Sequence, residues 1–192
     1  DATTLLGVLG LPEGHAEGLF FPDTYQFERG DAAGDVLGRA YARMQQVLEQ
    51  AWDTRVPGLP YASPYEALIV ASLIEKETGT ESERTLIAQV FVNRLELGMR
   101  LQTDPTVIYG LGERFDGNLT RAHLREDTPY NTYVHHGLPP SPIALPGRRS
   151  IEAALAPEPG DYLYFVSRGD GTSQFSVTLE EHNRAVRTYQ LQ

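Results

Sequence analysis

The stretch Ser63–Gly98, "SPYEALIVASLIEKETGTESERTLIAQVFVNRLELG", reads as two helices joined by a short turn, and the rest of the chain is best read outward from it. Ser63 is a helix cap, Pro64 suits the first helical position, and Glu66 stands three residues after the cap, as a capping box requires. The run "EALIVASLI" is too apolar for an exposed helix and far too short to cross a bilayer. Gly79 is a plausible stop. A second helix from about Ser82 to Leu97 carries Leu86, Ile87, Val90, Phe91 and Leu95, and Gly98 ends it. Two carboxylates, Glu75 and Glu77, stand at the end of the more apolar helix, where an unpaired charge is costly to desolvate.

At about 100° per residue, with Ala67 as the origin, Val70, Ala71, Ile74 and Thr78 fall within roughly 60° of Ala67 and form the core stripe. Glu75 lies about 80° to one side of Ala67 and Glu77 about 80° to the other, on opposite flanks of the stripe. An undistorted helix therefore cannot point both into one cleft. The pattern leaves two readings open. Both glutamates sit at the margins of the stripe, solvated or paired with Lys76, Arg84 or Arg94. Alternatively, one is a general acid: a carboxyl against Leu68 and Ala71 would have its pKa raised by desolvation and keep a proton near neutral pH.

On the N-terminal side, "DVLGRAYARMQQVLEQAW" places Val36, Leu37, Ala40, Met44, Val47, Leu48 and Ala51 at amphipathic-helix spacing. The first thirty residues mix Gly, Pro and aromatics and read as packed loop or strand. On the C-terminal side, residues 100–148 are rich in turn-formers, and so long an irregular span is usually functional. A short helix over Ser150–Ala156 follows. Then come strand "DYLYFVSR", turn "GDGTS" and strand "QFSVT", a hairpin. A last helix is capped by Thr178 and Glu181. The fold class expected is α+β: a helical core around the Pro64–Thr78 helix, a small C-terminal β-hairpin and peripheral strands.

The 192 residues suffice for one sizeable core, and 41% hydrophobic with 22% charged residues is ordinary for a globular protein. Sixteen basic against twenty-six acidic side chains leave a net charge of −10, which disfavours nucleic acid and anionic membrane surfaces as partners. There is no cysteine. His135 and His136 are adjacent and lack zinc-binding spacing. In the polar span, Gln102, Thr103 and Asp104 of "LQTDP" and Tyr130, Asn131 and Tyr133 of "YNTY" supply the amides, hydroxyls and aromatic faces that hold sugars. Asp104 and Asn131 also suit turn-capping. Arg148 and Arg149 are either solvated or available to peptide carboxylates.

The blocks "EGLFFPDTYQF", "ASLIEKET", "ERTLIAQVFVNRLELGMRLQTDPTVIYGLGERFDGNLTR", "YNTYVHHGLPPSPIALPG" and "YLYFVSRGDGTSQFSVTLEEHN" occur in order over about residues 17–190. They resemble the successive signatures of the MltG (YceG-like) endolytic murein transglycosylases. The resemblance implies non-hydrolytic cleavage of the β-1,4 bond between N-acetylmuramic acid and N-acetylglucosamine within peptidoglycan strands, with no cofactor. It implies an essential glutamate in "EKET", assigned here to Glu75, the first of the two. It also implies a single catalytic domain over residues 1–192, with residues 1–16 closing a preceding LysM-like region. An N-terminal membrane anchor outside this chain, an extracytoplasmic location in the cell envelope, and cell-wall synthases as partners are implied as well. Two other readings compete: a muramidase-like hydrolase using Glu75 and Asp104, and a non-catalytic glycan-binding module.

Overall fold

The structure is a computed structural model that describes residues 6, 7, 9, 10 and 14–190. In chain order the described elements are α1 (Ala33–Asp53), α2 (Pro64–Glu77), α3 (Arg84–Glu96), α4 (Asp104–Leu111), α5 (Arg148–Leu155), β1 (Tyr164–Ser167), β2 (Ser173–Ser176) and α6 (Leu179–Tyr189). Single 3₁₀ turns cover Glu81–Glu83, Gly112–Arg114 and His123–Arg125. β1 and β2 pair antiparallel, with Tyr164 opposite Ser176 and Ser167 opposite Ser173. The class is α+β. Among the described residues this hairpin is the whole of the sheet, and the segment before α1 contributes no strand. The expected end of a LysM-like region over residues 1–16 falls largely outside the described residues.

Helix α2 is the hub. Every residue from Ala67 to Ile74 is buried, and the helix packs against α1, α3, α4 and α5. It is apolar all round because it has neighbours all round. Its one buried polar residue is fully satisfied: the Ser72 hydroxyl donates to the Ile69 carbonyl at 2.6 Å and accepts from the Ile143 amide at 3.0 Å. Ser63 caps the start by accepting from the Glu66 amide at 3.3 Å. Glu66 reaches back to the amide of Ala62, at 2.6 Å, one residue earlier than a standard capping box. At the other end the chain leaves the helix through the extended backbone of Thr78 (φ −142°), before Gly79.

α3 stops in a Schellman motif: Gly98 (φ 65°) donates to the Leu95 carbonyl and Met99 to the Arg94 carbonyl. Its polar side chains dock the segment leading to the hairpin. Gln89 donates to the Glu158 carbonyl, and Asn93 donates to the carbonyls of Gly160 at 3.0 Å and Tyr162 at 2.9 Å. The hairpin is also tied to the α2–α3 turn. Glu83, buried, accepts from the Ser173 amide at 2.6 Å and its hydroxyl at 2.9 Å, and Thr80 donates to the Gly171 carbonyl at 3.0 Å. α6 begins with the expected capping box of Thr178 and Glu181. Among the described residues no helix is long and apolar enough to cross a membrane.

α4 is the element that sequence patterning read as irregular. Pro105 in its first turn and a glycine within eight residues conceal it, and the glycine has a packing reason. A Cβ on Gly110 would come within 2.5 Å of Thr128 Oγ1 and 3.3 Å of Tyr130 Cβ. Gly110→Ala should therefore destabilise the fold by about 1–3 kcal/mol, although alanine is the better helix former. In a Thr128→Ala background, which removes the opposing hydroxyl, the cost should shrink. Urea denaturation of the four chains of that cycle checks this, and a stabilising Gly110→Ala in the wild-type background would contradict it.

Candidate active site

The end of α2, the loop entering α4, the hairpin and α6 enclose a cleft of about 530 Å³. This lies in the size range of small-molecule sites. Glu77, Gln102, Asp104 and Tyr133 line it from the end of α2, the start of α4 and the loops, Tyr164, Ser173, Leu179 and His182 line it from the hairpin and α6, and Arg94 bonds to both groups of elements.

The two glutamates diverge as the helical geometry requires. Glu75 turns toward the start of α5, whose N-cap is Gly147 and has no side chain to offer. Its Oε2 accepts from the Gly147 amide at 3.0 Å and the Ser150 hydroxyl at 2.6 Å. Arg84 closes the group, with Nε 3.2 Å from Ser150 Oγ and Nη2 4.0 Å from Glu75 Oε1. Glu75 thus caps α5 across the tertiary structure, where a carboxylate also complements the positive end of the helix dipole. It does not line the cleft.

Glu77 turns the other way, into the cleft. Burial pushes its carboxyl up to about 7; the Thr103 hydroxyl, which donates to Oε1, opposes the shift, and the nearby Asp104 charge adds to it. Thr103 occupies the N-cap position of α4 yet makes no side-chain capping bond there, because its hydroxyl is committed to Glu77.

The loop bearing Thr103 is held from behind by buried threonines. The Thr103 amide donates to Thr132 Oγ1 at 3.1 Å, and Thr106 Oγ1 lies 2.7 Å from the Thr103 carbonyl and 2.8 Å from Thr132 Oγ1. Gln102, just before it, has φ 53°, the one left-handed non-glycine among the described residues. Its amide donates to the Thr132 carbonyl at 3.2 Å, so the loop is pinned in a conformation that an unrestrained glutamine would avoid. Tyr133 donates its hydroxyl to Asp104 Oδ1 at 2.6 Å, and burial followed by that bond keeps the phenol protonated.

Of the residues singled out from sequence, Gln102, Asp104 and Tyr133 line the cleft and Thr103 stands behind it on Glu77. Tyr130 and Asn131 are not among its lining. Tyr130 bonds Ser141 at 2.7 Å and packs against Tyr109 with ring centroids 4.8 Å apart. Asn131, buried, donates to the carbonyls of His123 and Glu126 and accepts from the Tyr133 amide at 2.9 Å, the local turn-holding role that its residue type allows. His135 pairs with Asp127 and His136 with the Gly98 carbonyl. Arg148 pairs with Glu152 and Arg149 with Glu81.

The far wall is what patterning alone missed. Arg94, buried on α3, donates to the carbonyls of Leu163 at 2.6 Å, Leu101 at 2.8 Å and Arg100 at 3.2 Å, joining the hairpin to the loop that carries Gln102. Its guanidinium lies 5.1 Å from the Tyr164 ring centroid, and Tyr164 stacks on His182 of α6. In the sequence Arg94 carries no mark of these three bonds and looks like any polar residue of a helix.

Residues 3–188 match the family model described as the YceG-like family. The endolytic murein transglycosylase of Bacillus subtilis (strain 168) is 41% identical over 173 residues, which cover 90% of this chain and 48% of that protein. The endolytic murein transglycosylase of Streptococcus pneumoniae serotype 2 (strain D39 / NCTC 7466) is 32% identical over 177 residues, 88% of this chain and 31% of that one. A crystal structure of a YceG-like protein from Listeria monocytogenes superposes with a TM-score of 0.76 at 41% identity, covering 87% of this chain and 54% of that one. The chain thus spans about half or less of the length of these relatives, and a match over nearly all of its residues, in sequence and in fold, places it: the chain belongs to the YceG-like family.

Proposed function

We propose that this chain is the catalytic part of an endolytic murein transglycosylase and that Glu77, rather than Glu75, is its acid and base. The observation that carries this reading is a single desolvated carboxyl, raised to about 7, in a cleft it shares with Gln102, Asp104 and Tyr133. Its relatives in Bacillus subtilis and Streptococcus pneumoniae are endolytic murein transglycosylases, which supports the reading. Glu75 is already occupied by Gly147 and Ser150 in holding α5.

A general acid near neutral pH needs a carboxyl that keeps its proton, and desolvation supplies one here. Glu77 donates that proton to the O4 leaving oxygen of the β-1,4 bond as the bond from the muramic C1 to O4 breaks. The C6 hydroxyl of the same muramic residue attacks C1, and its proton passes to the Glu77 carboxylate. A 1,6-anhydro ring forms, no water is consumed, and the acid is regenerated. Because the nucleophile is tethered to the reacting sugar, one carboxyl suffices where a hydrolase needs two. Asp104, its carboxylate held by the Tyr133 hydroxyl, raises the Glu77 pKa and stabilises the positive charge that develops at C1.

The hydrolytic alternative transfers to Glu77 with Asp104, since both line the cleft and Glu75 does not. The setting we propose is the cell envelope, on the extracytoplasmic face of the cytoplasmic membrane, through an anchor of the whole protein, with peptidoglycan strands as substrate and cell-wall synthases as partners.

Digestion of purified peptidoglycan should yield muramic ends that are one water lighter than hydrolytic ends and inert to borohydride, with oligomeric fragments appearing early. Glu77→Gln should lower the rate about 10²–10⁴-fold, whereas Glu75→Gln, which can still accept from Gly147 and Ser150, should keep most of it. Reducing muramic ends formed in step with cleavage would establish hydrolysis instead, and loss confined to Glu75→Gln would reverse the assignment.

The raised pKa has a consequence for stability. A carboxyl that titrates near 4.5 when unfolded and about 7 when folded binds more protons in the native state between those values, so stability falls as pH rises through that window and levels off above it. Glu77→Gln removes this penalty. At pH near 8 it should be the more stable chain by roughly 1–3 kcal/mol, and the difference should vanish toward pH 4. Thermal melts of both chains across that range measure it; a constant difference would show that Glu77 does not titrate as described.

A further inference from the structure

We propose that His182, held by Tyr164, forms a saccharide subsite on the far wall of the cleft, where its Nε2–H donates to the acetamido carbonyl oxygen of a bound sugar. The inference rests on the murein reading above and names a contact which that reading does not use.

Both residues line the cleft that contains Glu77. Their rings stack at 5.2 Å between centroids and 25° between planes. Tyr164 is itself fixed twice, by its place opposite Ser176 in the hairpin ladder and by the Arg94 guanidinium near its ring. The imidazole is therefore presented in a set orientation, which lowers the entropic cost of using it as a contact.

The two ring nitrogens differ. Nδ1 is sealed from solvent without a hydrogen-bond partner, whereas Nε2 is not sealed, and it too makes no hydrogen bond among the described residues. Burial, and then the Arg94 charge, lower the affinity of the ring for a second proton, so it is neutral at neutral pH. A neutral imidazole carries one N–H. Leaving a lone pair unpaired in the sealed position is less costly than leaving an N–H there, which puts the hydrogen on Nε2. His182 then faces the cleft as a donor that cannot accept.

The ligand class follows from that. Sugar hydroxyls both donate and accept, whereas the acetamido carbonyl only accepts, and every sugar of a murein strand carries one. A ligand carboxylate is disfavoured by the charge of Asp104 and the ionisable Glu77 in the same cleft, and Arg94 is already engaged with backbone carbonyls.

The test uses the Glu77→Gln chain, which holds the ligand without turning it over, and a murein tetrasaccharide of alternating N-acetylglucosamine and N-acetylmuramic acid. Nitrogen NMR of the imidazoles should show His182 as the Nε2–H tautomer in the free chain and move its Nε2 resonance on titration. Adding His182→Phe, which keeps a ring over Tyr164 but has no donor, should weaken binding about tenfold. If the sugar moves the Tyr133 and Gln102 resonances but leaves His182 unmoved, or if His182→Phe binds as well as its parent, the subsite is overturned while the murein reading stands. If no cleft resonance moves, both are overturned. Should His182→Phe fail to fold, the NMR of the native histidine still decides.

Discussion

The arrangement of this protein depends on one constraint: α2 is surrounded. With Ala67–Ile74 all buried among α1, α3, α4 and α5, this stretch of the helix has no exposed flank on which to carry charge, and its carboxylates are confined to the ends, Glu66 in the first turn and Glu75 and Glu77 in the last. There each must find either a set of donors or a cavity. Glu75 finds the amide and hydroxyl at the start of α5. Glu77 finds one hydroxyl and a desolvated cleft, and its elevated pKa follows from that desolvation, which the single Thr103 hydroxyl only partly offsets. The same helical geometry that separates the two by two residues gives one a structural task and leaves the other for chemistry.

The walls of the cleft are independent of α2 but are braced to it and to each other. Thr103 reaches Glu77 while Thr132 and Thr106 hold Thr103, so the acid and the loop that borders it are positioned together. Glu83 and Thr80, in the turn that follows α2, grip the hairpin at Ser173 and Gly171. Arg94 ties the hairpin to the loop of Gln102. These bonds tie a polar group of one element to the backbone or a side chain of another, so the cleft is framed by hydrogen bonds and the apolar core supports it from below. Transition-state stabilisation depends on groups already in place, and such a frame supplies them.

How much of this could be read from the sequence depended on range. The Schellman stop at Gly98, the cap at Ser63 and the capping box of Thr178 and Glu181 involve residues within a few positions of each other, and all are evident in the chain's letters. α4 was hidden because the glycine that suggests a loop, Gly110, is there to let the segment of Thr128 approach. The divergence of Glu75 and Glu77 was legible from the helical period. Which of them faces open space was not, since it is decided by Gly147 and Ser150, more than seventy positions away. Tyr130 and Asn131 share the residue types of a sugar site with Tyr133, yet their side chains are taken up by Ser141 and by local backbone. The wall of Tyr164 and His182 leaves no local trace at all.

The central claim is that one carboxyl, Glu77, holds its proton to near neutral pH because the fold desolvates it. A carbon NMR titration of the glutamate side-chain carboxyls, with the Glu77 resonance identified by its absence from the Glu77→Gln spectrum, measures this without substrate. The account predicts a midpoint about 7 for that resonance. A midpoint at the ordinary 4.5 would contradict it and return Glu77 to the solvated margin of its helix.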